Sequence, residues 1–427
     1  MQNKEKKKKK LSLTTLIFIA LLAGALTGVV INYLIPANYV VDDIIVQGVF
    51  YIVGQGFIRL MRMLVVPLVF CSIVCGSMAV GDTKKLGSVG VKTLIFYLCT
   101  TALAITVALT IANIFNPGKG LDMSQIQVTS TVSETTQSMS MKETLLDIIP
   151  VNIFNSLSEG NMLQIIVFAL ILGVILANMG DRVDIVKNFF GQFNDIMMEM
   201  TMAVMKLAPI GVFCLIAKTF AEIGFEVFIP LLKYMFCVLL ALAVQCFVVY
   251  LGLLKIFSGL NPFIFIKNFF PVMAFAFSTS TSNATIPMNI DTLADKMGVS
   301  KKISSFTIPL GATINMDGTS IMQGVAVVFT AQAFGIPLDM MDYLTVIGTA
   351  TLASIGTAGV PSVGLITLTM VFNSVGLPIE GIALIMGIDR ILDMTRTAVN
   401  ITGDAVCTTI VASWNKAVDR DVYYNRK

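Results

Sequence analysis

Six stretches of this chain, at residues 11–35, 44–80, 88–115, 150–178, 192–218 and 226–257, are apolar over lengths that can cross a bilayer. A helix rises about 1.5 Å per residue, so about 20 apolar residues span the roughly 30 Å hydrocarbon core. In lipid the backbone must satisfy its own hydrogen bonds, and an α-helix does so within each segment. The composition agrees: 56% of the 427 residues are hydrophobic and 13% are charged, where a soluble domain carries about 25% charged residues. The fold class expected is all-α and integral to a membrane.

The same composition excludes several chemistries. Histidine is absent, which removes His metal sites, His-activated nucleophiles and His proton relays. The seven cysteines lie in apolar segments without zinc-ligand or disulfide-framework spacing. No GxxxxGK[ST] loop is present, so ATP is not hydrolysed by that route. Any work done must draw on gradients or a partner. The net charge of +3 is uninformative, but its distribution orients the chain. The run KEKKKKK at 4–10, in a basic tail at 1–10, reads as a cytoplasmic anchor before the first membrane helix, with no nucleic-acid role. Lys84, Lys85, Arg182, Lys187, Lys255, Lys267, Lys296, Lys301 and Lys302 fall in loops assigned inside, and Asp42, Asp43, Glu222, Glu226, Asp339, Asp342 and Glu380 outside. Both termini are then cytoplasmic, including a tail at 416–427, and the protein sits in the cell (plasma or inner) membrane. The Ser/Thr-rich link at 116–145 reads as an exposed loop.

Two long segments in the C-terminal half are broken halfway. Residues 262–291 carry the Ser/Thr run 278–282 and Pro287, and residues 340–374 carry GTAGVPSVG at 356–364. Breaks at mid-depth free backbone groups that lipid cannot satisfy. Full crossings would also put the charges between Asp291 and Lys302 on the outer side. Two re-entrant hairpins in inverted arrangement fit better, and paired interrupted segments point to a transporter site. The expectation is eight transmembrane helices plus two hairpins.

The most informative stretch is DRILDMTRTAVNITGD at 389–404, set within an apolar segment. At about 100° per residue, Asp389, Asp393, Arg396, Thr397, Asn400 and Asp404 share one face within about 100° of arc. Charges inside a membrane helix are costly and mark a site facing the bundle interior. This face can hold an ammonium with a carboxylate and a carboxylate with a guanidinium, the charges of an acidic amino acid. In NMDGT at 315–319, Asn315 and Asp317 offer hard oxygen, and the glycine after them permits a helix break. Asp404 has no basic partner on its face. Buried acids without matching bases imply cations from solution.

These motifs, with STSTSNATIP at 278–287 and ASIGTAGVPSVG at 353–364, resemble the dicarboxylate/amino acid:cation symporters, the sodium-coupled glutamate/aspartate transporters. The resemblance runs almost end to end. It implies the inverted-repeat glutamate-transporter architecture, with a scaffold and trimerisation domain from 11–87 and 119–225. A transport domain of 88–118 and 226–415 would move as an elevator within a homotrimer. For the substrate it implies Asp393 and Thr397 at the α-ammonium, Asn400 and Ser282 at the α-carboxylate, and Arg396 and Thr319 at the side-chain carboxylate. Val360 and Gly364 would cover the substrate from the second hairpin. It implies one sodium site from Gly311, Asn315, Asn400 and Asp404, a second from Thr313, Met316, Ser354, Ile355 and Thr357, and a third from Tyr97, Thr100, Thr101, Asn315 and Asp317. No cofactor is implied beyond Na+ as coupling ion.

Some members carry an arginine where this chain has Ser280, others where it has Met394, and a small residue is usual at Asn283. Neither arginine is present, so Asp393 is expected to be uncompensated when no substrate is bound. A C4-dicarboxylate carrier is the near alternative, but that branch replaces the ammonium-binding aspartate that Asp393 preserves. Carriers of neutral amino acids such as serine or cystine, and proton coupling, are variants within the family. An ion channel would need a continuous polar path, whereas the polar positions here converge at mid-depth. Asp389 and Asp393 lack the nucleophile–base arrangement of an enzyme.

Overall fold

The computed structural model describes residues 13–36, 38–81, 88–121, 149–224, 228–355 and 363–425. The N-terminal half begins with α1 (Leu13–Leu34) and a π-helical segment, Val40–Phe50, that runs into α2 (Tyr51–Gly81). It continues through α3 (Ser88–Phe115), α4 (Ile153–Glu159), α5 (Met162–Met179), α6 (Asp184–Met205) and α7 (Ala208–Ile223). The apolar run at 192–218, expected as one crossing, is therefore two helices. Pro209 sits in the first turn of α7, where its missing N–H has no helical partner to lose. Next come α8 (Phe228–Ala243), a second π-helical segment at Val244–Tyr250, and α9 (Leu251–Ser258).

The two broken segments are helical hairpins. In the first, α10 (Pro262–Thr279) and α11 (Ser282–Met297) pack together across a two-residue turn, so its second arm runs past the expected end at 291. Asn261 caps α10 from the amide of Phe263, and Pro262 occupies its first turn. Ser280 turns the chain with φ +53°, a left-handed conformation uncommon outside glycine. Ser280 and Ser282 are buried, while Ser278 and Asn283 beside them are exposed. In the second hairpin, α14 (Met340–Ser354) starts on a reciprocal cap between Asp339 and Asp342 and packs against α15 (Val363–Ser374). Between the hairpins, α12 (Lys301–Ile314) and α13 (Asp317–Ala333) are parted by Asn315 and Met316, both outside helical geometry. The break thus precedes Asp317, and Gly318 is already helical rather than the hinge expected. The chain closes with α16 (Gly381–Trp414) and the short α17 (Arg420–Tyr423).

Six described helices are long and apolar enough to cross a membrane by length and composition. One is α10, which turns back at Ser280 and packs on α11 as a hairpin arm. The break leaves α12 and α13 too short to cross singly, at 14 and 17 residues, and α16 falls outside that set because it carries the polar residues. This is the all-α, multi-pass membrane architecture expected. Helices α1, α2, α5, α6 and α7 pack on one another, while α3, α8 and α10–α13 pack around α16 or its neighbours.

The segment at 417–424 is not a free tail. Val299 and Val418 form an antiparallel bridge, and the Asp419 amide donates to the Gly298 carbonyl at 2.8 Å. Tyr423 is fully buried and its hydroxyl donates to the Asn261 carbonyl at 2.8 Å. Gly298 has φ +65°, and a Cβ there would overlap the Asp419 carbonyl. Gly298→Ala should therefore lower the thermal midpoint, since the left-handed backbone alone costs a non-glycine residue about 1–2 kcal/mol. Gly252→Ala, where a Cβ meets open space, is the control. Equal midpoints for the two variants in detergent would contradict the docked arrangement.

Candidate functional site

The polar face of α16 is buried as its periodicity predicts. Asp389, Asp393, Arg396, Thr397, Asn400 and Asp404 are all shielded, Arg396 to 1% exposure. Arg396 is held at both ends of its guanidinium: Nη1 lies 2.8 Å from Asp389 Oδ1 and Nη2 lies 3.0 Å from Asp393 Oδ1. This corrects the expectation that Asp393 lacks a compensating arginine. Arg396 is its partner, one turn along the same helix, and supplies what neither Ser280 nor Met394 can. Arg396 Nε has no hydrogen-bond partner among the described residues. The Thr397 hydroxyl donates to the Asp393 carbonyl at 2.8 Å, which leaves its oxygen free to accept.

The helix break brings α13 against this face. Gly318 is there for close approach: a Cβ would sit 2.8 Å from the Arg396 carbonyl oxygen and 3.0 Å from Asn400 Oδ1. Its amide donates to Asn400 Oδ1 at 2.7 Å, and Asn400 Nδ2 donates to Met316 Sδ at 3.4 Å. Thr319 follows one residue later, its hydroxyl 4.0 Å from the same sulfur. The first turn of α15 closes over this region. A Cβ on Gly364 would meet Thr319 Cγ2 at 3.1 Å and Arg396 Nη2 at 3.4 Å.

A second polar cluster lies beside the first. Asn315 Nδ2 donates to Asp404 Oδ1 at 2.8 Å and to the Asn400 carbonyl at 3.1 Å, while its buried Oδ1 has no partner among the described residues. Gly311 lets α12 approach; a Cβ there would overlap Asp404 and the Tyr97 hydroxyl. Asp317, fully buried, accepts from Thr101 Oγ1 at 2.5 Å, Tyr250 OH at 2.7 Å and Gln245 Nε2 at 3.2 Å. Thr100 donates to the Tyr97 carbonyl at 3.1 Å, and Thr101 Oγ1 lies 2.8 Å from the same oxygen. Among residues whose burial is described, five acids (Asp317, Glu380, Asp389, Asp393 and Asp404) and one arginine are buried. Such an excess of negative charge in a low-dielectric interior calls for cations or proton uptake.

The structure thus brings together Asp393, Arg396, Thr397, Asn400, Thr319 and Gly364, and beside them Tyr97, Thr100, Thr101, Gly311, Asn315, Met316, Asp317 and Asp404. Ser282 begins α11, which packs against α16. Thr313, Ser354 and Ile355 stand at helix ends: the Thr313 and Ser354 hydroxyls donate to the Leu310 and Thr351 carbonyls of their own helices, and Ile355 is extended after α14. Thr357 and Val360 lie outside the described residues. Sequence reasoning placed Asp389 on the polar face without a role, and missed Gln245 and Tyr250 altogether. Both sit in an apolar run, ALAVQCFVVYLGLL, where a lone glutamine and tyrosine read as packing.

The model of the sodium:dicarboxylate symporter family matches residues 13–414. This chain belongs to that family. The symporter is 39% identical over 411 residues to a proton/sodium-glutamate symport protein of Bacillus caldotenax, covering 95% of each chain. It is 36% identical over 419 residues to the proton/glutamate-aspartate symporter of Escherichia coli K12, covering 96% of this chain and 94% of the other. A C4-dicarboxylate transport protein of Ralstonia nicotianae is 33% identical over 372 residues, 86% of each chain. The family and these relatives are transporters, not enzymes.

Proposed function

We propose that this symporter takes up an acidic amino acid, glutamate or aspartate, with sodium. The single observation that carries this is the buried Asp389–Arg396–Asp393 triad on α16. A guanidinium flanked by carboxylates offers a planar donor fork for a substrate carboxylate and an acceptor for its ammonium. Arg396 and Thr319 take the side-chain carboxylate, Asp393 and Thr397 the ammonium, and Asn400 and Ser282 the α-carboxylate. Val360 and Gly364 cover it. The names of the relatives, with glutamate in two of those described, support the same substrate class.

Sodium is the coupling ion in this reading, held by Asp404, Asn315, Asn400 and Gly311, and by Asp317, Thr100, Thr101, Tyr97 and Asn315. Thr313, Met316, Ser354, Ile355 and Thr357 form a further site. Segments 11–87 and 119–225 act as a trimeric scaffold, against which 88–118 and 226–415 move as an elevator. Both termini face the cytoplasm of a cell membrane. Proton coupling is the second reading, because the relatives are named for protons alongside or in place of sodium. Uptake of labelled glutamate, aspartate, serine and succinate into proteoliposomes, with sodium and proton gradients imposed separately, decides between them. Saturable aspartate or glutamate uptake driven by an inward sodium gradient is expected. Uptake driven by a proton gradient in sodium-free buffer would overturn the sodium assignment, and preference for succinate or serine would overturn the substrate.

A further inference from the structure

We propose that Gln245 and Tyr250 are positioning residues that orient Asp317 and set its affinity for the coupling cation, an inference that rests on the cation-coupled reading above. Both side chains are fully buried and both donate to one oxygen, Asp317 Oδ2, at 3.2 and 2.7 Å. Thr101 takes the other oxygen at 2.5 Å. The carboxylate is thereby fixed in its plane by three neutral donors from two helices, and no lysine or arginine among them neutralises its charge.

The local backbone is what makes this possible. Residues five apart lie about 140° apart around an α-helix and cannot converge on one atom. The segment Val244–Tyr250 is π-helical, and its i to i+5 hydrogen bonding stacks such positions on one side. The wider turn brings Gln245 and Tyr250 onto the same face, toward the α13 N-terminus. Such turns recur at functional sites inside otherwise regular helices. Gln245 also contributes a buried carbonyl oxygen, Oε1, that has no hydrogen-bond partner among the described residues, and Nε2 reaches the Thr100 carbonyl at 3.4 Å. Gly403 leaves room for the arrangement: a Cβ there would stand 2.5 Å from the Tyr250 hydroxyl and 2.7 Å from Asn315 Nδ2. The same tyrosine thus borders the Asn315–Asp404 pair, so the two acids share one packed environment.

Partners that orient a metal ligand typically change ion affinity about 10–100-fold when removed. Tyr250→Phe and Gln245→Met should each raise the sodium concentration for half-saturation by that factor, read from the sodium-dependent rise in thermal midpoint of purified protein. Substrate affinity at saturating sodium should stay near the wild-type value, which a merely structural defect would not allow. In an Asp317→Asn background the Tyr250→Phe shift should vanish, because its effect passes through that carboxylate. Two variants guard against one failing to fold. If wild type responds to sodium but neither folded variant shifts its titration, or if the shift persists in Asp317→Asn, the inference falls while the coupling reading stands. If wild type itself shows no sodium response, the coupling reading fails and takes this inference with it.

Discussion

Arg396→Cys will reduce affinity for an acidic amino acid by about two to three and a half decades. Removing one member of a buried ion pair costs about 3–5 kcal/mol, and each decade corresponds to about 1.4 kcal/mol. Arg396 is 1% exposed and braces two carboxylates, so its loss leaves Asp389 and Asp393 as neighbouring buried acids. The vacated volume lies under Gly364 and beside Thr319, where a small neutral side chain fits. Serine, alanine or cysteine should therefore gain relative to aspartate. Asp393→Asn should damage acidic and neutral amino acids alike, since both present an ammonium. Competition by a panel of unlabelled amino acids against wild type and both variants measures this. Undiminished aspartate affinity in folded Arg396→Cys would remove the arginine from the substrate site.

Asp404→Asn will weaken the sodium dependence of substrate binding by at least about tenfold, the loss that about 1.4 kcal/mol produces. Asp404 is fully enclosed, and its described hydrogen-bond partner is the neutral amide of Asn315 at 2.8 Å. An asparagine keeps the shape but removes the charge that a monovalent cation would balance. Gly311→Ala should act in the same direction by a different route, because its Cβ would collide with Asp404 and Tyr97. Apparent substrate affinity measured across sodium concentrations reports both. A curve in Asp404→Asn that overlays wild type would exclude this aspartate from ion coupling.

The membrane-spanning, all-helical character and the polar face of α16 were legible in the chain itself. Apolar length decides what lipid accepts, and a helix of period about 3.6 forces Asp389, Asp393, Arg396 and Asn400 to one side whatever packs against them. The hairpins were legible for a related reason: hydroxyl, glycine and proline residues at mid-depth, as at 278–282 and 356–364, are incompatible with continuous lipid-facing helix. Helix ends were less legible. The run 192–218 is long enough for one crossing, and only Lys206 and Pro209 hint that the chain breaks between α6 and α7.

Pairing was decided by tertiary structure. Asp393 read as uncompensated because arginines were sought at positions 280 and 394, while rotamer and packing turned Arg396 back along its own helix onto Asp389 and Asp393. Gly318 looked like a hinge, yet the break falls at Asn315 and Met316 and the glycine instead admits the backbone of α16. Gln245 and Tyr250 carried no signal at all. Their meeting on Asp317 depends on a local π turn and on contacts spanning 72 and 67 positions of sequence. Periodicity reports which side of a helix a residue occupies; which partner it meets there depends on how distant helices dock, and no single segment contains that information.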